Sequence, residues 1–146
     1  MGLFYMNKLC LILTGLLWCH SVLAEPLWLK NDSHSHAFDV EIADTPEKSK
    51  LGLMFRKRLD ADKGMLFLLP EKRQLYMWMK NTYIPLDMLF FDTDGKIVKI
   101  IANTTPLSLK ILPSDNPVGG VLEVNAGTAK RLDITVGDYI VSDRLK

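Results

Sequence analysis

Four charged residues stand inside or beside apolar runs: Arg56, Lys80, Asp87 and Glu123. Charged side chains are seldom buried unless paired, so such a set is either a structural network or a site. As a site, it suits recognition of a polar or anionic group. Arg56, Lys80 and Asn81 can grip a carboxylate or phosphate while Trp78 stacks on the ligand, with Asp87 and Glu123 close by. As a network, the two cations and two carboxylates satisfy one another. A third chemistry uses Asp87 and Glu123 as an acid–base pair in a small hydrolase, because two carboxylates facing one cleft can cleave glycosidic bonds.

Soft-metal chemistry is the next possibility. Met54, Met65, Met77, Met79 and Met88 are clustered in one part of the chain. Thioethers commonly fill gaps against aromatic rings, but they also favour copper(I). Met54, Met77 and Met79 are the thioether candidates, since Met77 and Met79 would point the same way from one strand. His34 and His36 add a weak His-x-His pair, expected on a solvated N-terminal arm. A tetrahedral zinc site lacks ligands, because Cys10 and Cys19 both precede position 25 and only these two histidines follow it. There is no G-x-S-x-G elbow, phosphate loop or dinucleotide fingerprint. No cofactor is expected.

These residues must be positioned by strands. The densest apolar stretch is Leu75 to Asp92, LYMWMKNTYIPLDMLFFD, which reads as two strands joined through Thr82 to Pro85. Paired as a hairpin, it would set Lys80 beside Asp87. Before it, Leu27 to Asn31 is a short apolar strand, and Phe38, Val40 and Ile42 alternate with Asp39 and Glu41 as a half-buried one. Thr45-Pro46-Glu47 carries the signals of a helix start, with Leu51, Met54 and Phe55 as its expected buried stripe. Gly52 within it suggests close approach of the backbone to a neighbour. Gly64 to Leu69 is a continuous apolar run, short enough for a fully buried strand.

After the central stretch, Asp92-Thr93-Asp94-Gly95 signals a tight hairpin returning through Ile97 to Ile101. Residues 103–120 carry Pro106, Pro113, Pro117, Gly119 and Gly120 and read as one long loop, a candidate lid over the site. Val121 to Val124 is a strand, Ala126 to Leu132 a helical turn or two, and Tyr139 to Val141 the last strand. Short strands separated by frequent turns argue a mainly β fold: a compact antiparallel sandwich or barrel with one or two short helices.

The first 24 residues are of another kind. Lys8, the apolar run Leu9 to Trp18, and the small residues of Val22-Leu23-Ala24 have the order of a secretory signal peptide, with cleavage expected after Ala24. The apolar run is short for a membrane span, so no stable span is expected once the leader is cleaved; a retained anchor is the alternative. The mature chain then has no cysteine and rests on its core alone. Of the 18 basic residues only Lys8 lies in the leader, which leaves 17 against 17 acidic ones. That balance does not point to nucleic acid. The expected organisation is a leader over 1–24, an arm over 25–36 and a single β domain over 37–143.

Several of these runs together resemble a known family. Gly52-Leu53-Met54-Phe55-Arg56, Gly64-Met65-Leu66-Phe67, Trp78-Met79-Lys80-Asn81-Thr82 and Ile84-Pro85-Leu86-Asp87-Met88 come in order, followed by Val121-Leu122-Glu123, Ala126-Gly127 and Gly137-Asp138. This pattern is similar to that of the domain of unknown function 192 family over about residues 37–143. The resemblance implies a compact β-sandwich or barrel, found largely in bacteria and archaea and often behind a signal peptide. It carries no assigned catalytic residue. The reading overall is a periplasmic or secreted module that binds a small molecule or a periplasmic protein.

Overall fold

The computed structural model describes residues 24–145, so the leader reading falls outside the described residues except for Ala24. The chain order is β1 (Glu25–Lys30), β2 (Ser35–Ala43), α1 (Pro46–Leu51), β3 (Lys63–Arg73), β4 (Tyr76–Met77), β5 (Leu86–Phe91), β6 (Ile97–Ile101), β7 (Leu112–Pro113), β8 (Val118–Asn125), α2 (Thr128–Arg131) and β9 (Tyr139–Val141). Seven strands form one sheet in the order β6-β5-β8-β3-β2-β1-β9, and β4 pairs with β7 separately. Its two edges meet. Ile140 N donates to Gly95 O and Ile97 N to Asp138 O, each at 2.8 Å, so the sheet is a nearly closed barrel with little free edge. All its pairs are antiparallel except β2–β3, which the α1 crossover makes parallel.

The alternation along β2 behaves as its residues require. Phe38, Val40 and Ile42 enter the barrel core, while Asp39 and Glu41 stay on the outer face. The core also takes Leu27, Leu29, Leu66, Leu89, Phe91, Leu122 and Val124. β5 differs: all six of its residues are buried. Its inner face fills the barrel, and its outer face lies beneath a second layer. That explains why Leu86 to Phe91 and Gly64 to Phe67 are continuous apolar runs rather than alternating ones. The second core holds Leu53, Met65, Phe67, Met79, Ile84, Met88, Phe90 and Val121. Gly120 lets the two cores close up: a Cβ there would lie 2.1 Å from Phe67 O and 2.5 Å from Phe91 Cζ.

Several expectations are corrected here. Residues 25–36 are not an arm, because Leu27 and Leu29 are fully buried and β1 pairs with both β2 and β9. The hairpin through Thr82 to Pro85 does not form. Only Tyr76 and Met77 are strand, and they pair with Leu112 and Pro113, while β5 pairs with β6 and β8. The expected stripe of α1 also fails. The helix buries nothing, Leu51 and Phe55 are exposed, and Leu53 beyond Gly52 is the residue that enters the core. Helical spacing misled because the chain leaves the helix at Gly52 and turns toward the sheet.

The 103–120 segment is not a free lid. Thr104 Oγ1 donates to Leu86 O and accepts from Leu86 N, both at 3.0 Å. Leu107 N donates to Thr82 O, Met79 N donates to Ser108 O, and Ser114 Oγ accepts from Leu75 N. Residues 104–114 are therefore sewn to residues 75–86, and Val118 to Gly120, expected as loop, open β8. Residues 51–59, 75–85 and 103–114 together form the layer that covers the outer face of the sheet.

Candidate functional site

The sheet register decides which candidate residues can meet. Asp87 lies opposite Val124, and Met88 opposite Glu123. Directly opposed residues share a face, and neighbours along a strand do not. Asp87 therefore belongs with Val124 and the barrel core, whereas Glu123 belongs with Met65 and Met88 under the outer layer. The two carboxyls lie on opposite faces of one sheet. They share no cleft, so the acid–base pair expected of a small hydrolase is not assembled.

Asp87 is completely buried and fully engaged. Its Oδ1 accepts from Asn103 N at 2.9 Å and Gly127 N at 3.1 Å, and its Oδ2 accepts from Ala129 N at 2.9 Å. Three backbone donors make it a brace between β5, the start of the 103–114 segment and the turn of α2. The Lys80–Asp87 pair is absent too. Lys80 is exposed, and its Nζ stands 5.2 Å from the centroid of the Trp78 ring.

Glu123 presents the opposite case. It is 4% exposed, and its carboxyl, with burial as the one influence on its titration, makes no side-chain hydrogen bond among the described residues while keeping some access to the recess. Burial pushes its pKa up to about 8, so near neutral pH the group is a protonated acid able to donate. It lies on the wall of a narrow recess of about 40 Å³ lined by Gly52, Met54, Phe67, Met77, Trp78 and Thr82 as well. That space holds a small polar group or a few waters. The recess adjoins a wider cleft of about 320 Å³ that shares Phe67 and Met77 and continues along Leu69 and Leu75, with Lys50 and Arg73 also lining it.

Local sequence builds this recess. Thr45 Oγ1 accepts from Lys48 N at 3.2 Å and Pro46 opens α1, so the helix begins where the capping signals place it. Gly52 ends it at φ 51°, ψ −137°, outside the range open to other residues, and a Cβ there would press on Phe67 Cζ at 3.3 Å. Phe55 and Asn81 both adopt left-handed backbone conformations (φ 64° and 54°), and Phe55 N donates to Asn81 O at 2.8 Å. Asn81 Nδ2 also approaches Met54 Sδ at 4.0 Å. These contacts fix Met54 at the opening, which Trp78 also lines.

Arg56 lies on the same face but is already occupied. Its guanidinium meets Glu41 with two hydrogen bonds, Nη1 to Oε1 and Nη2 to Oε2, the second at 2.6 Å. The Glu41 carboxylate holds the Arg56 pKa above its usual value. Glu41 is the residue that reading the sequence missed. It looked like the wet side of an alternating strand, and its partner lies 15 residues further on. In the sheet, Glu41, Met65, Glu123, Met88 and Ile101 form one transverse row. Glu41, the partner of Arg56, is thus separated from Glu123 by Met65.

The remaining metal candidates divide. Met54 and Met77 both line the Glu123 recess, while Met79 is buried in the second core. His34 and His36 stack on each other at 6.0 Å beside the β1–β2 turn and join no methionine there. Among the described residues, no group of three or more histidine, cysteine or acidic side chains is placed to hold a metal.

Fold and site together define a small barrel domain whose covered outer face opens in a cleft over a neutral, unpartnered acid. The chain belongs to the DUF192 family, described as "Uncharacterized ACR", whose model matches residues 27–142. It is similar to a solved structure from Sinorhizobium meliloti 1021, titled as a candidate transcription regulator, with 46% identity over 81% of this chain and 92% of that one and a TM-score of 0.79. A protein of unknown function from Novosphingobium aromaticivorans DSM 12444 is 39% identical over 80% of this chain and 83% of that one, with a TM-score of 0.77. No curated protein matches the chain.

Proposed function

We propose that this protein is an exported small-ligand-binding module whose site is the cleft over Glu123. One observation carries the reading: a buried carboxyl, raised to a pKa of about 8, lines an open recess without a protein partner. A largely buried carboxyl that no protein group engages is poorly satisfied by what little solvent the recess admits, and a bound ligand would supply a partner. A protonated acid donates to a carbonyl, ether or hydroxyl oxygen, so the ligand presents such an acceptor to Glu123. Its apolar body lies along Phe67, Met77 and Leu69, the common pattern of a few polar anchors in an apolar cleft. Export is supported by the leader-like order of residues 1–24.

Native mass spectrometry of the protein recovered from its own cells tests this, with Glu123→Gln and Trp78→Ala prepared alongside. A small-molecule mass retained by the wild type and lost from Trp78→Ala is the expected result. An identical bare mass for all three, with no shift in melting temperature on adding cell extract, would overturn it. A second reading rests on Met54 and Met77 sharing the recess: two thioethers are soft donors suited to copper(I). Metal analysis of the same samples separates the two. Stoichiometric copper lost from Met54→Leu and Met77→Leu would favour the metal.

A further inference from the structure

The covering layer has a charge composition unlike the rest of the chain. Residues 51–59, 75–85 and 103–114 contain no aspartate or glutamate, yet carry Arg56, Lys57, Arg58, Lys80 and Lys110, with Lys50 at the end of α1 beside them. Arg56 is neutralised by Glu41. Among the described residues, Lys50, Lys57, Lys80 and Lys110 form no ion pair. A chain that is balanced from residue 25 onward therefore gathers unpaired lysines, and no acidic residue, on this layer.

The same face exposes large apolar side chains. Leu53, Met79, Ile84 and Leu112 point down into the second core. The residues between them project the other way: Phe55 is 57% exposed, Trp78 44%, Tyr83 46%, Leu107 55% and Leu109 67%. Backbone hydrogen bonds join the three segments into one platform, from Phe55 to Asn81 and from Leu107 to Thr82. Phe55 and Leu107 also hold φ angles of 64° and 62°, which are rare for such residues. The chain accepts that strain, of a kind usually kept where it serves function, while holding two large apolar side chains in solvent. Such a contiguous apolar surface marks an interaction site.

We infer that this platform docks on an anionic lipid surface. Aromatic rings with lysines are the usual furniture of the membrane–water boundary, and lysines near an anionic leaflet add electrostatic attraction. Single-stranded nucleic acid would also welcome aromatics and lysines. The aliphatic Leu107 and Leu109 decide against it, because they offer no ring for a base to stack on but insert readily among acyl chains. Docking of this kind needs no span, and none of the described helices is long and apolar enough to cross a membrane. Lys50 and Trp78 also border the cleft, but Lys80, Lys110, Leu107 and Leu109 do not line it, so docking does not depend on a ligand there.

The test is co-sedimentation of the protein, as recovered from its cells, with vesicles of phosphatidylcholine alone and of roughly 3:1 phosphatidylcholine to phosphatidylglycerol. Binding is expected to the anionic vesicles only. It should weaken at least ~10-fold when Lys50, Lys80 and Lys110 are replaced by glutamine. Leu107→Ser with Leu109→Ser should weaken it as well, and brominated lipid should quench tryptophan emission to an extent that Trp78→Phe reduces. Any leader is the same in every variant, so the differences report the platform. Equal binding to both vesicle types, no effect of the lysine or leucine changes, or tight binding of mixed-sequence single-stranded DNA that vesicles do not displace would each overturn the inference. So would self-association through this face that leaves the vesicles unbound.

Discussion

Asp87 and Glu123 are both buried carboxyls on neighbouring strands, one residue apart in register, and they live in opposite circumstances. Asp87 faces the barrel interior and receives three backbone N–H groups. Glu123 faces the outer layer and receives none, so it keeps its proton to a pKa of about 8. Burial alone therefore does not distinguish a structural carboxyl from a functional one. What distinguishes them is where the hydrogen bonds go. Three donors drawn from two backbone segments distant from β5 hold a fold together, while a carboxyl with no donors lining an open recess stabilises nothing that the described residues show.

The comparison is broken most forcefully at Asp87. Asp87→Ala frees three backbone donors in a dry region and uncouples α2 and the 103–114 segment from β5. We expect a loss on the order of 4 kcal/mol, read as a lowered urea midpoint. Asp87→Asn keeps one acceptor oxygen and should lose about half as much. A stable Asp87→Ala that instead failed to retain its ligand would return this residue to the binding site.

Glu123 should show the reverse sign. Its folded pKa of about 8 exceeds the usual 4.5. Below pH 4.5 the group is neutral in folded and unfolded chains alike. Between pH 4.5 and 8 the unfolded chain releases the proton and the folded one keeps it, so stability falls as pH rises and levels off above 8. Glu123→Gln removes that decline. It should raise stability by up to about 5 kcal/mol at alkaline pH and change it little in acid, as followed by thermal melts across the range. A flat wild-type profile would mean that Glu123 has a partner after all.

These two roles were unequally legible in the sequence. Most of the strands, the Asp92–Gly95 turn and the cap at Thr45 follow from local patterns and are present, whereas the strand expected before Thr82 shrinks to Tyr76 and Met77. Asp94 N and Lys96 N even donate to the Asp92 side chain in the expected turn. Asp87 and Glu123 were recognisable as charges inside apolar runs, but their opposite faces depend on a β5–β8 pairing between segments more than thirty residues apart, which no local pattern reveals. The same holds for Arg56 and Glu41. The 75–85 segment misled for a related reason. Its apolar density reads as a strand, yet its large residues serve two purposes, with Met79 and Ile84 filling the second core and Trp78 and Tyr83 facing solvent. Periodicity reports that a residue is apolar, not which of two layers claims it.

Gly52 sharpens the comparison by altering only the Glu123 side. Gly52→Ala must adopt φ near 51° and push against Phe67, so it should cost about 2 kcal/mol and narrow the recess. Loss of a retained ligand from this variant, while the pH profile of stability keeps its shape, would separate the shape of the recess from the charge of its acid. A variant of wild-type stability would show that the turn relaxes freely.

Glu41 supplies a third carboxyl for the same scale, in the same sheet row as Glu123 but matched to a guanidinium. The Arg56–Glu41 pair is partly exposed, with side chains 34% and 23% accessible, so solvent weakens it well below a buried pair. A double-mutant cycle with Arg56→Met and Glu41→Gln should return a coupling of about 1 kcal/mol that shrinks in high salt. A coupling several times larger would place Arg56 and Glu41 with Asp87 among the elements that hold the fold. A coupling near zero would leave the guanidinium available, and the polar set on this face would then extend from Glu123 toward Arg56 as a single site.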